Sequence, residues 1–137
     1  MSDSQFEKFY WPSLKKVILV FIEEGLIVRP VAEGKYERRL DMIQDLPKGW
    51  VHWTFDETDM FRAKQKVGHY ASISGIIPHS MMLTGTISEL KDYCRKLVEV
   101  CGEGGGFILN GGGLPEGGDP EKLRVFMEVA KEYGTYR

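Results

Sequence analysis

Residues 50–78 read WVHWTFDETDMFRAKQKVGHYASISGIIP, and this stretch decides the fold. Val51, Trp53 and Phe55 alternate with His52 and Thr54, the two-residue period of a strand over 51–55. From about Glu57 to Val67 the apolar residues Met60, Ala63 and Val67 fall at helical spacing, and Gly68 follows them. A second strand over 70–75, within the segment His69 to Ile77, closes at Pro78. Two strands joined through a helix cannot form a hairpin. The connection has the length of a parallel crossover.

The same alternation extends in both directions. Upstream, Leu14, Val17, Ile18, Phe21 and Ile22 form an amphipathic stripe that starts near Pro12 and ends at Gly25. A strand over 27–32 follows, in which Pro30 must occupy a bulge or an unpaired edge. Glu33-Gly34 turns the chain, and Tyr36, Leu40, Ile43 and Leu46 recur at helical spacing until Pro47-Lys48-Gly49. Downstream, Thr86-Ile87-Ser88-Glu89 is a capping box opening a helix through Leu90, Cys94, Leu97 and Cys101. Gly104 to Gly106 lead into a strand over 106–110, and Asp119-Pro120-Glu121 opens a last helix through Leu123, Phe126, Met127 and Ala130. The order is one helix, then strand-helix four times. The expected class is α/β, with four parallel strand-helix units in sequential order. Four strands are too few to close an ordinary barrel, so the sheet is either a small open one or half of a barrel.

Composition narrows the function classes. The 137 residues are 42% apolar and 28% charged, which suits a single domain over 1–137 with residues 1–5 expected to be disordered. A net charge of −2 gives no electrostatic pull toward nucleic acid or an anionic membrane. The longest apolar run, Val17 to Ile22, is far short of the ~20 residues of a membrane span, and Met1-Ser2-Asp3-Ser4 lacks the basic start of a signal peptide. A cytoplasmic protein is expected. Cys94 and Cys101 sit two helical turns apart, too far for a disulfide, and read as reduced core residues. Nine of the sixteen glycines lie between Gly102 and Gly118, so one region carries the excess.

Several segments carry a resemblance: Phe9-Tyr10-Trp11-Pro12, Phe55-Asp56-Glu57-Thr58-Asp59, Gly75-Ile76-Ile77-Pro78-His79-Ser80 with Thr84-Gly85-Thr86, Gly104 to Leu109, and Lys131-Glu132-Tyr133-Gly134-Thr135-Tyr136. In this order and spacing the chain resembles the uroporphyrinogen decarboxylase superfamily, in particular its corrinoid methyltransferase-related group, where a pattern like Glu33-Gly34-Lys35-Tyr36 follows a strand. The resemblance implies a (β/α)8 TIM-type barrel, with this chain as its C-terminal half, strands five to eight preceded by one helix. Zinc-dependent methyltransferases of that group carry His-x-Cys-Gly after the fifth strand and a further Cys after the eighth, soft ligands suited to Zn2+. Here Val31 and Glu33 stand near the first pair of places and Gly111-Gly112-Gly113 in the last, so no bound metal is expected. Glycine also replaces the histidine that porphyrinogen decarboxylases carry in that turn, and their catalytic aspartate belongs to the other half. Porphyrinogen decarboxylation is the weaker expectation. Methyl transfer is expected only if a partner half completes the site, with no firmly bound cofactor and a corrinoid carried by a partner protein. The partners expected are a second copy, as a homodimer, or a separate N-terminal half; the rival reading is an assembly module without chemistry.

In barrels the reactive groups stand on the loops at the C-terminal strand ends. That places Glu33, Asp56 and His79 as catalytic candidates. Asn110, Gly111, Gly112, Gly113 and His52 are candidates for substrate binding, the glycines because a cavity loop needs close backbone approach. Each has a plainer reading. Asp56, Thr58 and Asp59 are also placed as a helix cap with first-turn acids, His79 as an ordinary loop residue, Glu33 as a solvated turn residue, and His52 as a partly buried structural histidine. Gly111 to Gly113 match no nucleotide-binding fingerprint.

Overall fold

The computed structural model describes residues 1–111 and 116–135. Four strands, β1 (Val31–Ala32), β2 (His52–Phe55), β3 (Ser72–Ile76) and β4 (Phe107–Asn110), form one sheet in the order β1-β2-β3-β4. Every neighbouring pair is parallel. The sequential parallel order is that of a partial (β/α)8 barrel, as expected.

Pro30 explains why β1 is short. Backbone N–H groups of His52, Thr54 and Asp56 donate to the carbonyls of Val28, Pro30 and Ala32, so the even-numbered residues face β2. Proline has no N–H to return at that side. The expected strand over 27–32 therefore splits into an isolated Val28–Val51 bridge and the two residues of β1.

The chain opens with a capped turn, in which Ser2 and Gln5 form a capping box on α1 (Asp3–Gln5). A π-helical segment, Phe6–Tyr10, leads into α2 (Trp11–Glu23). Trp11 and Ile18 are buried, and Trp11 lies 6.4 Å from Trp53 between ring centroids. Val17 and Phe21, expected on the buried stripe, are instead 53% and 46% exposed.

The helix expected over Tyr36 to Leu46 is a series of turns, although Tyr36, Leu40, Ile43 and Leu46 are all buried. Backbone bonds in the segment run mostly from residue i+3 to residue i, Arg39 to Tyr36 and Met42 to Arg39, and tertiary bonds hold groups near its two ends that a helix would leave without partners. The Tyr36 N–H donates to Thr58 Oγ1, and the Ile43 carbonyl accepts from the Tyr70 hydroxyl. Tyr70 in turn accepts from Trp53 Nε1 at 3.0 Å, which ties the turns to the centre of β2.

The remaining helices are α3 (Met60–Val67), α4 (His79–Leu83), α5 (Ile87–Cys101) and α6 (Pro120–Tyr133). The capping box on α5 and the Asp119 cap on α6 are those the sequence predicts. The short α4 stands where the sequence suggested a loop. Its Met82 is fully buried, and the buried Lys122 of α6 donates to the carbonyls of Met81 and Met82 at 3.1 and 2.9 Å. An ammonium at these last carbonyls satisfies groups that have no partner within the helix.

One face of the sheet, with Trp53, Phe55, Ile73 and Phe107, belongs to the main core under α2, α3 and α5. Burying Trp53 and Phe55 contributes ~1.5–3 kcal/mol each. The register puts Val31, Thr54, Ser74 and Ile108 in one row across the other face, whose outer members Val31 and Ile108 are 58% and 56% exposed. A second cluster, Ile77, Met82, Leu90, Cys94, Val125, Phe126 and Val129, packs α4, α5 and α6 together at the exit of β3. Both cysteines are free and buried in α5.

Candidate functional site

A cleft of about 660 Å3 lies at the C-terminal ends of β2 and β3. Its walls include Lys35, Glu37, Asp56, Glu57, Asp59, His79, Ser80 and Tyr93. The loop after β1 forms one side because β2 holds it there. Thr58 Oγ1 accepts from the Tyr36 N–H at 2.9 Å and donates to the Gly34 carbonyl at 3.2 Å, and Asp56 Oδ2 accepts from the Gly34 N–H at 3.5 Å. Gly34 has φ +79°, the left-handed conformation glycine adopts without steric cost.

The acids divide into two groups. Asp59 caps α3, accepting from the N–H groups of Phe61 and Arg62 at 2.9 and 3.2 Å, and Glu37 accepts from the Asp59 N–H. These two carboxylates hold backbone. Glu57, Lys35, His79 and Ser80 have no hydrogen-bonded side-chain partner among the described residues, and Asp56 keeps one long bond. An imidazole and carboxylates with free valence can take and return a proton at the strand ends. Burial first, and the Asp59 charge second, push the Tyr93 pKa up, so this phenol at the cleft wall keeps its proton.

Asp56 and His79 thus share the cleft, whereas Glu33, Asn110, Gly111 and His52 do not line it. Glu33 is exposed at the β1 exit, next to the clamped Gly34. Asn110 pairs in register with Ile76 at the end of β4. Gly111 has a packing reason: a Cβ there would stand 3.3 Å from the Phe126 ring. Gly112 and Gly113 lie outside the described residues. Lys35, Glu37, Glu57, Ser80 and Tyr93 are polar cleft residues that the sequence did not single out as candidates. Lys35 and Glu37 follow the Glu33-Gly34 turn and had that signal; Tyr93 comes from a helix more than thirty residues further on and had none.

His52 sits near the opposite end of the sheet, roughly 13 Å before Asp56 along β2 at ~3.3 Å per residue. Its Nδ1 bonds Ser72 Oγ at 2.8 Å and its Nε2 bonds Ser74 Oγ at 3.0 Å. Thr54 bonds Ser74 at 3.1 Å and accepts from Arg29 Nε at 3.0 Å. Burial first and the Arg29 charge second push the His52 pKa down. The ring is held neutral inside a hydroxyl network.

The thiols do not suit a zinc-thiolate centre. Burial pushes both Cys94 and Cys101 up to about 11, which disfavours the thiolate that binds zinc. Among the described residues no three His, Cys, Asp or Glu side chains stand together as a metal-binding group, and no helix is long and apolar enough to cross a membrane.

No curated protein matches the chain. The family model described as uroporphyrinogen decarboxylase (URO-D) matches residues 1–133, which takes in all four strands and the cleft, and the chain belongs to that family.

Proposed function

We propose that this chain is one half of a cytoplasmic barrel enzyme for corrinoid-dependent methyl transfer, with a catalytic centre that is completed when a second half covers its sheet. The observation that supports this is the open side of β1. The residues alternating with Val28, Pro30 and Ala32, namely Ile27, Arg29 and Val31, turn their N–H and C=O groups away from β2, and no described residue meets them. A closed barrel has no such edge.

Within the completed barrel, Asp56 and His79 stand at the rim where barrel enzymes hold their reactive groups. The corrinoid supplies the cobalt-bound methyl group, and it exceeds a cleft of about 660 Å3, so it stays on its own carrier protein. A small methyl acceptor fits the cleft. His79 takes the proton that the acceptor's N–H or S–H gives up, and Asp56 orients the imidazole or the acceptor.

The test is methylcobalamin turnover by the chain alone and with an added N-terminal half-barrel. Turnover that appears only in an assembly holding a second half, either a second copy or the added N-terminal half, with a large loss in His79→Gln, supports the reading. A half that binds the chain without turnover points instead to a non-catalytic assembly module.

A further inference from the structure

The register places Ile27, Arg29 and Val31 in one column along the outer strand of the sheet, on the face that carries His52, Thr54, Ser72 and Ser74. This face points away from the core under α2, α3 and α5, toward the inside of the barrel that the family fold implies. Ile27 and Val31 are 70% and 58% exposed, and Arg29 is exposed between them.

The Arg29 Nε donates to Thr54 Oγ1 at 3.0 Å, which lays the guanidinium over this face rather than out past the edge. Thr54 is buried and also bonds Ser74, which bonds His52, so the anchor belongs to a network whose hydroxyls and ring are already engaged. The two Nη groups have no hydrogen-bonded or ion-paired partner among the described residues. The hydroxyls and the neutral imidazole supply no negative charge. Glu33 and Asp56 come four residues after Arg29 and His52, about 13 Å toward the C-terminal rim at ~3.3 Å per residue. Water satisfies the guanidinium while the sheet is open. Covering the sheet removes that water, and a charge enclosed in a barrel is costly unless a counter-charge arrives with it. The planar fork of an arginine suits a carboxylate.

We infer that Arg29 is the point at which a separate half-barrel docks, and that this half brings an aspartate or glutamate side chain into the lumen at the height of Arg29 and His52. The inference rests on the half-barrel reading above and says which partner completes it. A second copy of this chain does not fit. Keeping all strands parallel needs a twofold axis along them, and such an axis returns each residue at its own height. The lumen would then hold two guanidinium groups in one layer, with no carboxylate among the described residues of that layer, and like charges repel. A distinct half with an acid supplies the missing charge, while Ile27 and Val31 flank the pair and keep water from it.

The test is binding of the full chain to the separately expressed N-terminal half of a full-length family member that carries an acid in that layer, followed by calorimetry and sedimentation. The chain alone is expected to sediment at its own mass, and the mixture as a one-to-one pair. Arg29→Met is expected to weaken the pair at least about tenfold, as is changing the acid of the half to its amide. The two changes together should cost little more than either alone, the mark of a direct contact. Lys91→Met removes an equal charge from the exposed side of α5 and should leave binding unchanged. Circular dichroism checks that the variants fold. Arg29→Glu should prefer a half whose acid is exchanged for arginine over the unaltered half, and the opposite preference overturns the inference. So do an Arg29→Met chain that binds as tightly as wild type, losses that simply add, or a wild-type chain that dimerises by itself. If the half binds and gives methylcobalamin turnover while Arg29→Met makes no difference, this inference fails alone and the half-barrel reading stands. If neither the half nor a second copy associates with the chain, both fail.

Discussion

Replacing Thr58 with valine removes one hydroxyl and keeps the shape of the side chain. Thr58 is buried, and its Oγ1 both accepts the Tyr36 N–H and donates to the Gly34 carbonyl. The substitution leaves a donor and an acceptor without partners in a place that water does not readily reach. Each such group costs ~1–3 kcal/mol. The added methyl returns ~0.8 kcal/mol of burial, so the net loss is about 1–5 kcal/mol. That is a sizeable share of the ~5–15 kcal/mol that keeps a domain folded. For a chain of this size it lowers the melting temperature by roughly 4–18 °C. Urea unfolding should show a lower midpoint with an unchanged slope, because the surface exposed on unfolding is the same. Hydrogen exchange at the Tyr36 amide should quicken, since its acceptor is gone. Thr58→Ser keeps the hydroxyl and should lose less than half as much. If Thr58→Val costs under ~0.5 kcal/mol, or serine and valine behave alike, the clamp does not hold the loop after β1.

Three further outcomes follow from the packing and the protonation states. Gly75→Ala should destabilise by ~1–3 kcal/mol in thermal unfolding, because a Cβ would stand 2.1 Å from Met60 Sδ in a full core; a neutral effect would mean that Met60 repacks freely. His52 has a folded pKa below the ~6.5 of the unfolded chain, so the unfolded state binds more protons as pH falls through that range. Its contribution to stability is whole above about pH 6.5 and declines as pH drops toward the folded value; urea midpoints for wild type and His52→Gln should converge on acidification, and parallel curves would count against the network. Cys94 and Cys101, with thiols pushed up to about 11, should resist a thiol-specific dye in the native state and both react after unfolding; fast native labelling of either would contradict its burial.

The sequence by itself determined the elements whose cause is local. The capping box at Thr86 and Glu89, the Asp119-Pro120 opening and the alternation in Val51 to Phe55 each carry their signal within a few residues, and the structure has them. The lengths of the connections excluded hairpins, and the parallel order followed. Asp59 proved to be the helix cap that its position suggested, and Asp56 and His79 meet in one cleft because strand ends of a parallel sheet lie side by side.

Only tertiary structure decided the rest. The spacing from Tyr36 to Leu46 is helical, yet the same four side chains are buried on a series of turns, which Thr58 and Tyr70 hold near both ends by hydrogen bonds from distant parts of the chain. Thr58, read as part of a cap, serves a loop more than twenty residues earlier. Tyr93 reaches the cleft from α5, and no local pattern encodes such a meeting. Val17 and Phe21 show the same limit: periodicity states that a side chain is apolar, but which face of a helix is covered depends on what the rest of the chain brings against it. A local pattern fixes backbone conformation and the polarity of each face. The partner for each face is a long-range contact, and it is settled when the whole sheet packs.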